Sequence, residues 1–128
     1  MTDDFKLEII SPEKVLFSEQ VTSVTIPSFE GEMSILSEHI PLITFLRPGL
    51  IKILGKKEIN YFLEDGTVEF SNNNLIILSS TIIEAKNLSK EKISIMIQES
   101  EKKLKDENSD DKSRYIAFHK VDTLSRIN

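Results

Sequence analysis

Cysteine is absent from the 128-residue chain, which excludes disulfides, thiolate nucleophiles and cysteine-based metal sites. A reducing compartment is compatible with that absence and not required by it. Tryptophan is missing too, and histidine occurs only at His39 and His119, in no ligand spacing such as H-x-x-x-H. No G-x-x-x-x-G-K-[ST] loop and no glycine-rich strand-to-helix turn offers a phosphate cradle, and no serine occupies a G-x-S-x-G elbow. No window approaches the ~18 consecutive apolar residues of a spanning helix. Basic residues number 16 against 21 acidic ones, a formal charge of −5 with pI near 5.1, so the chain as a whole does not invite nucleic acid or an anionic membrane. The start, Met1-Thr2-Asp3-Asp4, is acidic and leads straight into alternation, unlike a signal or transit peptide; without a secretory signal, the sequon Asn87-Leu88-Ser89 is inert. Carboxylate pairs such as Glu30/Glu32 and Asp110/Asp111 are explained by loop solvation and helix-start electrostatics. The residues are not arranged to catalyse, and neither a metal nor a cofactor is expected.

What is present divides the chain in two. All four glycines and all four prolines lie within residues 1–66, and none follows. Residues 1–85 hold 6 basic and 13 acidic side chains, a charge of −7, whereas residues 86–128 hold 10 and 8, a charge of +2. An acidic first part is therefore joined to a mildly basic arm, and the overall charge conceals this. The expected units are residues 1–86 and 87–128.

The first part reads as β structure. Phe5, Leu7 and Ile9 recur at the two-residue period of a half-buried strand, and further runs follow at 21–26, 33–36, 40–46, 50–54, 59–63, 67–70 and 75–78. Turn residues separate them, and many short strands at this spacing predict a sandwich or barrel. Glu64-Asp65-Gly66-Thr67 is the strongest hairpin signal, since Asp-Gly tolerates positive φ, and Asn72-Asn73-Asn74 is a second candidate turn.

The second part reads as an antiparallel helical hairpin. Ser89 is placed to cap the first helix, with Leu88 and Ile93 as a hydrophobic staple. Ile93, Met96, Ile97, Ser100 and Leu104 share one stripe on a helical wheel, and Ile95 points elsewhere. Ser109 is the expected cap of a second helix, with Asp110 and Asp111 in its first turn and with Ala117, Val121 and Leu124 at core spacing, flanked by Phe118. His39 reads as a loop residue and His119 as a helix-surface residue. The basic side chains Lys112, Arg114, Lys120 and Arg126 do not fall on one sharp stripe, and Glu99 and Lys103 are spaced for an i,i+4 pair.

In order and spacing, the β part resembles the epsilon subunit of F-type ATP synthases. The resemblance is carried by 10-ISPEKVLFS-18, 24-VTIP-27, 30-EGEMSIL-36, 39-HIPLIT-44 and 46-LRPG-49, and later by Val68-Glu69-Phe70 and 74–78. It implies an N-terminal antiparallel β-sandwich of about ten strands followed by a C-terminal antiparallel two-helix hairpin. It also implies a non-catalytic rotor component in the central stalk of a proton-translocating synthase, peripheral at the cytoplasmic face of the bacterial inner membrane. The sandwich would join the gamma subunit to the membrane rotor ring, with Glu30, Gly31, Glu32, His39 and Pro41 at that interface. The hairpin would either fold against the sandwich or extend, meeting an acidic loop of the catalytic beta subunit through Lys112, Arg114, Lys120 and Arg126 to hold back ATP hydrolysis.

Some bacterial relatives are implied to bind ATP through [IL]-D-x-x-R-A. The matching stretch here is Leu88-Ser89-Lys90-Glu91-Lys92-Ile93, where Ser89, Lys92 and Ile93 replace the aspartate, arginine and alanine. The acidic partner and the planar guanidinium fork are lost, so no strong ATP binding is expected. Only two alanines occur in the chain, unlike the alanine-rich hairpins of the family. The alternative reading is a stand-alone β-sandwich ligand-binding module with a helical dimerisation hairpin.

Overall fold

A computed structural model describes residues 3–127, so Met1 and Thr2 of the acidic start, and Asn128, lie outside it. Ten strands come first: β1 (Phe5–Ile10), β2 (Val15–Val21), β3 (Ser23–Ser28), β4 (Gly31–Leu36), β5 (Leu42–Leu46), β6 (Gly49–Leu54), β7 (Glu58–Leu63), β8 (Gly66–Ser71), β9 (Asn74–Leu78) and β10 (Ile83–Glu84). A short 3₁₀ turn at Ala85–Asn87 leads to helices α1 (Lys90–Lys105) and α2 (Asp111–Leu124). The hydrogen-bonded order is β10-β7-β6-β3-β5-β8-β9-β1-β2, with β4 added along β3. β3 and β5 share only the pairing Ser28↔Leu46, and there the sheet turns back on itself into the two layers of a β-sandwich. One layer is β4-β3-β6-β7-β10 and the other β5-β8-β9-β1-β2. Every pairing is antiparallel except β1 with β9, which is parallel.

Alternation explains the core. Phe5, Leu7 and Ile9 of β1, Ile51 and Ile53 of β6, Val68 and Phe70 of β8, and Leu75 and Ile77 of β9 all point between the layers and are buried. Each such side chain removed from water contributes about 1.5–3 kcal/mol. The run expected at 21–26 is in fact the end of β2 and most of β3, separated at Thr22, whose amide donates to the carbonyl of Leu54. The rest of β2 escapes periodicity because it is an edge strand in which most side chains face solvent.

The expected Asp65-Gly66 hairpin does not form. β7 pairs with β6 and β10, and β8 with β5 and β9, so the chain crosses between layers at Glu64-Asp65. Gly66 is needed for close approach, since a Cβ there would lie 2.8 Å from the carbonyl oxygen of Leu78. The left-handed residues fall instead at Asn72 (φ 51°) and Asn73 (φ 59°), the turn joining β8 to β9.

The hairpin folds against the outer face of the first layer. Leu88, Ile93 and Leu124 are buried with Phe62 of β7, and Met96, Ile97, Leu50, Ile83 and Ile127 complete the cluster. Ser89 caps α1 by accepting from the Lys92 amide at 3.1 Å. The second cap is Asp110 rather than Ser109: its carboxylate accepts from the Ser113 amide at 2.7 Å, and α2 starts one residue later than the hydroxyl spacing implied. Hydrogen bonding from Ser113, first from its backbone amide, also holds the Asp110 carboxyl below its ordinary pKa. Among the described residues the ion pairs are Lys86–Glu84, Lys120–Glu64 and Arg126–Asp122, so the spacing of Glu99 and Lys103 is not used.

Candidate functional site

The residues expected at a rotor interface flank strand β4. Glu30, exposed, closes the β3–β4 turn, and Gly31 (φ 121°) opens the strand with Glu32, exposed, beside it. The turn is held by Ser28, whose hydroxyl donates to the Gly31 carbonyl at 2.7 Å and accepts from the Glu30 amide at 3.2 Å. His39 and exposed Pro41 lie in the loop after the other end of β4, about 17 Å away at ~3.3 Å per strand residue. That loop is pinned to the β8–β9 turn. The Glu38 amide donates to Asn73 Oδ1 at 2.7 Å, which accommodates the left-handed Glu38 (φ 67°), and Asn73 Nδ2 donates to Ser37 Oγ at 3.2 Å. The His39 ring packs edge-on against core Phe70, with Nδ1 2.7 Å from the Ile40 carbonyl oxygen. Between the two clusters β4 pairs only with β3, leaving its outer edge unpaired among the described residues.

The four basic residues of the tail are not gathered into one patch. Lys120 bonds to Glu64 at 2.8 Å across the hairpin–sandwich boundary, and Arg126 pairs with Asp122 at 3.1 Å on its own helix. Arg114 donates to the carbonyl of Asp106 at 3.0 Å, bracing the turn between the helices. Lys112 is exposed on the rim of a groove.

The positions that match the ATP motif have other tasks. Leu88 and Ile93 are buried in the hairpin–sandwich cluster, Ser89 is the helix cap, and Lys92 is exposed.

Several further residues carry the boundary between hairpin and sandwich. Tyr115 of α2 stacks on Phe29 in the β3–β4 turn, with centroids 5.8 Å apart, and donates its hydroxyl to the Phe29 carbonyl at 3.2 Å. His119 is half-buried rather than a free surface residue, edge-on to Tyr115 at 4.5 Å and to Phe118 at 5.4 Å. Burial and then the nearby positive charge of Arg47 lower its pKa, against a smaller opposing effect of Asp122. Tyr115 and Phe29 are 86 residues apart, so no local spacing announces the contact.

The outer face of the second layer stays open. Ile43 and Phe45 of β5 are 74% and 62% exposed, and Leu78 of β9 is 47% exposed. A groove of 1440 Å³ runs from this face to α2, with Phe45, Leu46, Leu78 and Ile10 on the sandwich side and Lys112 and Tyr115 on the helix side. Monomeric domains rarely leave neighbouring large apolar side chains in water without a partner to cover them. The run Leu42-Ile43-Thr44-Phe45-Leu46 hints at this in sequence, because it is apolar on both faces while only one is covered within the chain.

Residues 4–85 match the family described as ATP synthase, Delta/Epsilon chain, beta-sandwich domain. An ATP synthase epsilon chain of Pelagibacter ubique is 47% identical over 130 residues, covering 100% of both chains. One from Rhizobium rhizogenes is 34% identical, covering 92% of this chain and 90% of its own. In solved structures, a chain of the Euglena gracilis mitochondrial ATP synthase (OSCP/F1/c-ring in rotational state 1) superposes with a TM-score of 0.81 at 21% identity, covering 98% of this chain and 81% of its own. A chain from the central stalk/c-ring of the Tetrahymena thermophila enzyme gives 0.66 at 15% identity, with 98% and 96% covered. These two show the shared fold. The family match and the full-length relatives decide between a rotor component and a free-standing binding module: the chain belongs to the ATP synthase epsilon chains, non-catalytic subunits of the rotary synthase.

Proposed function

We propose that residues 1–86 form the coupling unit of the central stalk and that residues 87–128 form a hinged brake. In this reading the open face of Ile43, Phe45 and Leu78 holds the gamma subunit. The observation that supports it is the exposure of those side chains on the layer that the hairpin leaves bare. The edge of β4, with Glu30, Gly31 and Glu32 at one end and His39 and Pro41 at the other, faces the membrane rotor ring. A partner that uses both clusters must span the strand between them, as a ring of repeated subunits does. Torque passes well through a close-packed sandwich, which does not deform easily under load.

The brake works by exchange of partners. With the hairpin folded, Lys120 and Arg126 are paired within the chain. Extension of the hairpin breaks the Lys120–Glu64 contact and offers that ammonium group, with Lys112 and Arg114, to an acidic loop of the beta subunit. The complex sits at the cytoplasmic face of the bacterial inner membrane and couples to protons. Co-purification tests the gamma face: the tagged chain should retain gamma, and Ile43→Lys with Phe45→Lys should lose it while the sandwich stays folded by circular dichroism. Full retention of gamma by the double variant contradicts the assignment.

A further inference from the structure

Residues paired across neighbouring strands point to the same side of a sheet, so the pairings set out the outer face of the second layer in rows. One row runs Phe45, Thr67, Leu78, Ile10, Val15 across β5, β8, β9, β1 and β2, an apolar line interrupted by a single threonine. Val15 joins it through the register shift that skips Leu16. Phe45, Leu78 and Val15 are exposed, and at about 4.8 Å between strands the line is about 19 Å long. Along a strand the same face offers only two large apolar side chains, Ile43 and Phe45 on β5 or Ile76 and Leu78 on β9. The next row, on the side away from Glu64 and α2, runs Ile43, Glu69, Ile76, Glu8, Ser18. Its two carboxylates stand two strands apart, about 10 Å. Among the described residues neither has an ion pair, not even with Lys6 one row further along β1.

We propose that the segment of gamma laid on this face crosses the strands along the Phe45–Val15 row and carries two basic side chains that pair with Glu69 and Glu8. This pairing rests on the gamma face proposed above, and adds to it the direction of the bound segment and the residues that select it. The direction follows from the row: a segment lying across the strands covers the whole apolar line, whereas one lying along a strand leaves most of it in water. The sign follows from charge. The groove beside the row is edged by Glu30 and Asp65 against Lys112, and residues 1–85 carry −7. A cation brought to Glu69 or Glu8 displaces no ion-pair partner within the described chain. Their separation of about 10 Å is that of side chains two turns apart on a helix. A neutral or acidic segment with the same apolar ridge would cover both carboxylates and leave them unpaired, so the two glutamates set specificity more than strength.

Titration of purified gamma onto the tagged full chain tests the pairing, with Ile43→Lys plus Phe45→Lys as the variant that tests the face itself. Affinity of the parent should fall as salt rises from about 50 to about 500 mM, because exposed ion pairs are screened. Glu8→Gln with Glu69→Gln should weaken binding roughly 5- to 30-fold at low salt and flatten the salt dependence. Glu8→Lys with Glu69→Lys should abolish retention of gamma. Val15→Lys, at the far end of the row, should weaken binding about tenfold. Gamma bound by the parent and lost by Ile43→Lys plus Phe45→Lys, with both carboxylate doubles at parent affinity, leaves gamma on the face and overturns the pairing. Parent affinity in Val15→Lys overturns the direction. Retention of gamma by Ile43→Lys plus Phe45→Lys removes the face, and the pairing with it. If the Glu→Lys double fails to fold by circular dichroism, the Glu→Gln double and the salt series of the parent decide, and unshifted affinity in both overturns the pairing.

Discussion

Lys120 Nζ of α2 lies 2.8 Å from Glu64 Oε1 just after β7, an ion pair that ties the second helix of the basic arm to the acidic sandwich. Lys120 is largely covered, with 17% of its side chain exposed, and Glu64 is 38% exposed, so solvent screens the pair and its contribution is about 0.5–1 kcal/mol. Glu64→Gln and Lys120→Gln should weaken docking equally, lowering the docked-to-released ratio roughly two- to fivefold. Their effects on ATP hydrolysis should diverge. Glu64→Gln leaves the ammonium free and strengthens the brake, whereas Lys120→Gln removes a contact the brake uses. Equal effects on hydrolysis would show that Lys120 acts only in the folded hairpin.

Tyr115 holds Phe29 in two separable ways. Tyr115→Phe removes the hydroxyl bond and keeps the stack, costing about 0.5–1.5 kcal/mol of docking. Tyr115→Ala also loses the ring contact, a further ~0.5–1.5 kcal/mol. Energy transfer between hairpin and sandwich should rank parent, Tyr115→Phe and Tyr115→Ala in that order.

Gly66 stands where the chain changes layers, and an added Cβ would press on the Leu78 carbonyl, which is backbone of β9 and cannot swing aside. Gly66→Ala should destabilise the sandwich by about 1–3 kcal/mol, read as a lower urea midpoint with little change in slope. Gly66→Ala with parent stability would mean the crossing is looser than this geometry allows.

The matched ATP-motif positions predict no nucleotide site. Titration calorimetry of the full chain with ATP should detect no sub-millimolar binding, because Ser89 and Lys92 supply neither the carboxylate nor the guanidinium fork. Ser89→Asp retains the cap, so a chain carrying it with Lys92→Arg and Ile93→Ala asks whether the site can be rebuilt. Clear heat with the parent chain would contradict the reading.

The architecture was legible where each residue answers to its neighbours. Alternation marked most of the strands, and Ser89 with Leu88 and Ile93 marked the start of α1. Legibility failed where long-range packing overrules a local signal. Asp65-Gly66 has the chemistry of a tight hairpin, yet the glycine serves close approach to β9, while Asn72 and Asn73 carry the positive φ. β2 shows little alternation because an edge strand buries little. His119 reads as a surface residue because its spacing does not mark it as core; in the fold it is half-buried, edge-on to Tyr115 and Phe118 of its own helix. The basic arm was visible as charge, but its pairing with Glu64 was not, since an ion pair across two units leaves no periodic trace.

The most direct measurement of the division of labour compares synthase assembled with the full chain and with a chain lacking residues 88–128. Assembly on the membrane and proton-coupled ATP synthesis should survive the truncation, and ATP hydrolysis should rise once the brake is gone. Loss of assembly or of coupled synthesis in the truncated form would contradict the account, as would a hydrolysis rate that the truncation leaves unchanged.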